Sequence, residues 1–169
     1  VYKRQTQGKP LSYSHLDAVE NTEAAKTLLK LFGGAPQPNK QEALVEEIGP
    51  SRLAFWDCNP DPAWVAAMDN NNLLLTETKM ENSIDRIKGT AENPRNTERV
   101  PASARFEFQI TMRVHDDEDL SEMLLRGMKL LELTGLGGSG SRGYGKIRIQ
   151  LDDATLQQRL SDLNLERAA

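Results

Sequence analysis

Between Arg105 and Leu151 the hydrophobic period switches from two to helical and back to two, and a run of glycines sits at the second switch. Phe106, Phe108, Ile110, Met112 and Val114 alternate with Arg105, Glu107, Gln109, Thr111 and Arg113. That alternation predicts a strand with the two phenylalanines on its buried face. His115–Asp119 is an acidic turn. Leu120, Met123, Leu124, Met128 and Leu131 then recur at helical spacing and predict an amphipathic helix to about Glu132. Gly135–Gly145 follows, and Ile147, Ile149 and Leu151 alternate again. Strand, helix, glycine loop and strand in that order predict an α+β fold, one sheet with helices on one face. A ferredoxin-like arrangement is the natural candidate.

Upstream the punctuation is clear from Asn21 onward. Asn21 caps a predicted helix with Leu28, Leu29 and Phe32 as its stripe, and Gly33-Gly34 ends it. Asn39 and Glu42 have capping-box spacing for a short helix to Glu47, closed by Gly49-Pro50. Leu53–Trp56 reads as a short strand. Asp61-Pro62 opens another helix. Leu73–Thr76 reads as a buried strand. Residues 1–20 show no period. From Lys79 to Ser103 apolar residues are few, and such a stretch inside a domain predicts a functional or protruding segment.

The composition excludes several classes. With 38% hydrophobic and 27% charged residues in 169, the chain suits one soluble domain able to bury a core. No apolar run is long enough for a transmembrane helix, and no signal-peptide pattern opens the chain, so no membrane partner is expected. A single cysteine, Cys58, fits a reducing, cytoplasmic setting and reads as a small packed residue. His15 and His115 lack ligand spacing, so zinc is not expected. Asp116, Asp117, Glu118 and Asp119 have the chemistry to bind a cation, but more simply they favour the positive end of the following helix.

The net charge is −4, but unevenly spread. No acid lies between Leu136 and Gln150, where Arg142, Lys146 and Arg148 cluster around six glycines in eleven residues, Gly135–Gly145. Gly138–Gly143 fits G-x-G-x-x-G, and Gly140–Lys146 fits the opening of a P-loop, although Ile147 stands where Ser or Thr is required. Both motifs need a strand before and a helix after, and here the order is reversed. Backbone amides beside Arg and Lys suit a phosphodiester backbone instead. The stretch Lys79–Arg105 carries Lys79, Arg86, Lys88, Arg95, Arg99 and Arg105 against Glu81, Asp85, Glu92 and Glu98. Taken alone, it is a solvated hairpin whose charges pair with one another.

Taken together, Thr76–Arg86, Asn93-Pro94-Arg95, Glu98–Pro101 and Leu136–Lys146 resemble the backbone RAMP subunit of type III-A CRISPR effector complexes, the Csm complexes. Leu31-Phe32-Gly33 and Ser51-Arg52-Leu53 sit where that family has similar words. The resemblance implies one RAMP domain over residues 1–169 with a ferredoxin-like, RRM-type core. Residues 81–104 would form a β-hairpin thumb and 135–146 the glycine loop. It implies a subunit that binds guide RNA and target RNA, stacks with further copies of itself and other Csm subunits, and cuts target RNA with Mg²⁺. The RNA-binding residues it implies are Lys79, Asn82, Arg86, Lys88, Arg95 and Arg99 in the thumb. In the loop they are Gly137, Gly138, Ser139, Gly140, Ser141, Arg142, Gly143, Gly145 and Lys146. The family's first strand, aspartate-bearing catalytic loop and basic first helix find no match in Val1–Glu20. The chain therefore reads as N-terminally incomplete, and no catalytic role passes to Asp17. The alternatives are a non-cleaving or guide-processing RAMP subunit, or a nucleotide-binding enzyme using the glycine loop.

Overall fold

The computed structural model describes residues 5–35, 42–115 and 118–165. It divides into two compact units, residues 1–54 with 111–169, and residues 55–110. In the first unit a 3₁₀ turn, Tyr13–Ala18, precedes helix α1 (Thr22–Phe32) and the short helix α2 (Glu42–Ile48). Asn21 caps α1 as expected, its side chain accepting a hydrogen bond from the Ala24 amide at 3.0 Å. Tyr13, Leu16 and Val19 pack with Ala25, Leu29 and Ile48, and Leu11, Leu44 and Val45 close over them. The stretch without a period thus supplies half of this cluster. A single 3₁₀ turn is too short to show periodicity, so its core role was invisible in the sequence. Leu31 is also buried, while Phe32, expected in the stripe, is 55% exposed.

Helix α4 (Ser121–Thr134) follows the acidic turn, and α5 (Ala154–Asp162) packs against it, capped by Asp153 at the Leu156 amide (2.9 Å). Between them, residues 146–151 belong to no helix or strand ladder among the described residues. The second unit holds β2 (Asn59–Pro60), α3 (Pro62–Asn70), the hairpin β3 (Glu77–Ile84) and β4 (Ala91–Arg99), and β5 (Phe106–Glu107). Asp61 caps α3 through the Trp64 amide at 2.7 Å. β2 pairs antiparallel with β5, and β1 (Leu53–Phe55) pairs with β6 (Ile110–Met112).

The architecture is α+β, with helices and strands mixed along the chain. Among the described residues the paired strands form three two-stranded sheets rather than the one sheet expected from the element order. The long strand Arg105–Val114 is interrupted at Phe108-Gln109, leaving only β5 and β6 in ladders. Phe106 and Phe108 are 45% and 39% exposed rather than buried. Leu73, Leu74 and Leu75 form no strand and are exposed. The common reason is that no residue of 55–110 is buried. This unit coheres through strand pairing and contacts such as Trp64 against Phe106, with ring centroids 6.4 Å apart. Alternation reports which residues share a face, not whether a layer covers that face. Cys58 is exposed for the same reason. None of the described helices is long and apolar enough to cross a membrane.

Arg52 ties the first unit together and is 5% exposed. Its guanidinium donates to Glu118 through Nε (3.1 Å) and a terminal nitrogen (2.7 Å), and to the carbonyls of Ile48 (3.0 Å) and Pro50. Lys30 donates to the other Glu118 oxygen at 3.0 Å. The Arg52 amide donates to the Lys30 carbonyl (2.7 Å), and its carbonyl accepts from the Arg113 amide (2.8 Å). Burial pushes the Glu118 carboxyl up, but hydrogen bonds and charge from Arg52 and Lys30 outweigh it and hold the group below its ordinary value. Asp119 instead accepts from the Ser121 amide at 2.9 Å, at the start of α4. Asp116 and Asp117 lie outside the described residues.

Glu118→Ala strands two cations, one of them buried, and is expected to cost about 3 kcal/mol in urea unfolding. The depressed carboxyl stabilises the fold fully above the ordinary carboxylate range, and that contribution is lost as pH falls through the depressed value. Glu118→Gln should therefore flatten this part of the acid-unfolding profile; an unchanged profile would remove Glu118 from the account.

Candidate nucleic-acid interface

The β3–β4 hairpin is built around one irregularity. Glu77 faces Arg99, Lys79 faces Thr97 and Glu81 faces Arg95, but Ser83 then faces Glu92. Two steps along β3 match three along β4, so β4 carries a bulge opposite Asn82. The bulge falls at Asn93-Pro94. Asn93 is left-handed (φ 52°), a conformation asparagine tolerates, and Pro94 has no amide to offer a ladder. Asp85 closes the tip, its carboxylate accepting from the amides of Ile87 (2.8 Å) and Lys88 (3.2 Å).

The hairpin cations divide into two sets. Lys79 pairs with Glu81 at 2.9 Å, Lys88 with Asp85 at 3.8 Å, and Arg99 with Glu77 at 2.6 Å. Arg86 at the tip and Arg95 beside the bulge are exposed and make no ion pair among the described residues. Asn82 is exposed opposite the bulge. Self-pairing, the simple sequence reading, therefore accounts for Lys79, Lys88 and Arg99 and leaves Arg86 and Arg95 available. One feature went unread in the sequence. Met80, Ile84 and Ile87 are 78%, 66% and 95% exposed, an apolar set on an otherwise polar hairpin. Their signal was present as isolated apolar residues in a stretch that a two-stranded ribbon cannot bury.

The glycine loop belongs to the other compact unit. The Leu136 amide donates to the Gly145 carbonyl at 2.8 Å and closes a neck. Above it Gly137–Gly143 is exposed throughout, with Ser139 left-handed (φ 58°) and a 3₁₀ turn at Gly140–Arg142 that includes Ser141. The Gly143 amide, in a left-handed residue (φ 79°), donates to the Gly140 carbonyl at 2.9 Å. The loop's glycines are not equivalent. A Cβ on Gly145 (φ 71°) would lie 1.9 Å from the Leu136 carbonyl oxygen, so the neck itself demands glycine there. Gly138 has no positive φ and nothing within 4 Å of a Cβ position, and Gly140 meets only an ordinary contact at 3.6 Å. The fold gives no reason for glycine at either place. Lys146 and Arg148 follow the neck, exposed and without an ion pair among the described residues. The neck is followed by residues in no regular element, not by the helix N-terminus that a nucleotide-phosphate loop requires.

Among the described residues no three His, Cys, Asp or Glu side chains gather to hold a metal ion. The described residues do not fit a Mg²⁺ site. Asp17 is exposed on the 3₁₀ turn, and the His15 ring takes the hydrogen bond of the Ser12 amide (3.2 Å) in a local cap.

The neck predicts a sharp contrast within one loop. Gly145→Ala should destabilise by about 2 kcal/mol or more, from the clash and the positive φ. Gly138→Ala should change stability by less than about 0.5 kcal/mol. Equal urea midpoints for the two variants would contradict the neck geometry.

The family model for the RAMP superfamily matches residues 9–148. The chain is 45% identical over 152 residues to the CRISPR system Cms endoribonuclease Csm3 of Streptococcus thermophilus, covering 85% of this chain and 63% of that protein. It is 35% identical over 135 residues to the Csm3 of Enterococcus italicus, covering 78% and 59%. With the Csm3 of Methanocaldococcus jannaschii it shares 49% identity over 78 residues, 44% of this chain and 32% of that protein. The chain thus spans less than two thirds of the length of these relatives. The match embraces the 3₁₀ turn, the ion cluster at Arg52, the bulged hairpin and the glycine loop, and the chain belongs to the RAMP superfamily.

Proposed function

We propose that this chain acts as a Csm3-type backbone subunit of a type III-A CRISPR effector complex, holding guide RNA on the Gly137–Lys146 loop. The observation that carries this reading is the pair Gly138 and Gly140. They lack a side chain where the fold imposes no such need, beside Lys146 and in a stretch without acids. A bare backbone next to cations is what close approach of a phosphodiester chain requires.

In this reading the β3–β4 hairpin is the thumb of a ferredoxin-like, RRM-type RAMP core. Arg86 and Arg95 are its free cations toward RNA. Lys79, Lys88 and Arg99 shape the ribbon through their ion pairs, and Asn82 marks the bulge. Further copies of the chain and other Csm subunits are its protein partners, and target RNA pairs with the held guide. The relatives are named as endoribonucleases. Metal-dependent cutting of target RNA is accordingly the proposed activity of the whole subunit. No step of it is assigned to the described residues, which do not gather a metal-binding set.

The test is filter binding of single-stranded RNA by the full chain across a salt series. Arg142→Ala with Lys146→Ala should weaken binding and reduce the slope of log K against log salt by about 0.7 for each phosphate the loop no longer neutralises. Gly138→Ala and Gly140→Ala should weaken binding with the fold intact. Unchanged affinity and slope in all of these variants would make the loop a connector only.

A further inference from the structure

We propose that Arg148 and Gln150 continue the RNA-backbone contact beyond the glycine loop, with Glu132 and Gln157 as the positioning residues that hold their segment extended. This rests on the guide-RNA reading of the loop and extends it to residues outside it.

Exposure alternates along residues 146–151 with the period of two of an extended chain. Their backbone is held from the helices. The Ile149 amide donates to Glu132 Oε1 of α4 at 2.7 Å, and the Leu151 amide donates to Gln157 Oε1 of α5 at 2.7 Å. Amides two residues apart project from the same edge of an extended chain. Two side-chain oxygens therefore fasten this edge. Ile147, Ile149 and Leu151 are half-buried, and Lys146, Arg148 and Gln150 are exposed, in strict alternation. With the backbone fastened on one edge and the isoleucines set inward, the three polar side chains are presented outward over about 13 Å.

The chemistry of that row fits a phosphodiester chain leaving the loop. It begins at Lys146, directly after the Gly145 neck, and Arg148 makes no ion pair among the described residues. Gln150 adds a neutral donor. The shallow cavity that Arg148 and Gln150 line also contains Lys129, Ser161, Glu132 and Asp152. Of its acids, Glu132 is engaged by the Ile149 amide and lies 3.8 Å from Lys129. Asp152 and the capping Asp153 follow Gln150 in the chain and end the row, so the track is bounded on one side by the loop and on the other by acids.

The experiment uses the full chain and a short oligouridine in the same salt series. Arg148→Ala should lower affinity and reduce the slope by about 0.7. Glu132→Ala should reproduce that drop in slope, and Glu132→Gln, which keeps an oxygen acceptor for the Ile149 amide, should restore it. A Glu132 with only a structural role would lower the melting temperature and leave the slope unchanged. If the Arg142, Lys146 double variant loses slope while Arg148→Ala matches the parent, the track is overturned and the loop reading stands. If Arg148→Ala alone loses slope, the loop reading fails and the Arg148 contact remains. If neither changes, both fall. Should Glu132→Ala fail to fold, Arg148→Ala decides on its own.

Discussion

The first unit depends on one buried guanidinium. Arg52 follows the Gly49-Pro50 turn, and its donors reach back to the carbonyls of that turn and forward to Glu118, while its own backbone joins Lys30 at the end of α1 and Arg113 after β6. A buried arginine with fewer partners would be a liability, since removing the charge from water costs several kcal/mol. Here it meets a carboxylate and main-chain acceptors, and Lys30 supplies a second cation to Glu118. The polar interior thus specifies which segments meet: the apolar cluster of Tyr13, Leu16 and Leu29 supplies burial without direction, and Arg52 supplies direction.

The sequence disclosed its elements far better than their neighbours. Asn21 and Asp61-Pro62 are local devices, and each caps its helix because the chemistry lies within three residues. Arg52 and Glu118 are 66 residues apart, and no periodicity links them. The same limit applies to the Glu132 and Gln157 oxygens that accept from the Ile149 and Leu151 amides. Phe106 and Phe108 mark the opposite error. Their alternation reads as burial, although no residue of 55–110 is buried.

The candidate site was legible as a set of residues and illegible as a set of states. Counting charges in Lys79–Arg105 cannot separate Arg99, held by Glu77, from Arg95, which makes no ion pair among the described residues. That distinction arises from register, and the register turns on the bulge at Asn93-Pro94. Counting glycines in 135–145 likewise cannot separate Gly145, which the neck requires, from Gly138, which nothing inside the fold requires. In both stretches the structure separates the residues that the fold engages from those that it does not.

The neck between Leu136 and Gly145 also bears on how such a chain can change over time. A backbone clasp at the base isolates the fold from whatever lies above it. Residues 137–143 are exposed throughout, so substitutions or small length changes there leave the core untouched. The loop behaves as a cassette: selection can rewrite its contents for a differently shaped ligand while the two clasp positions stay locked. Variation across descendants of this scaffold should accordingly pool above the clasp and stop abruptly at it.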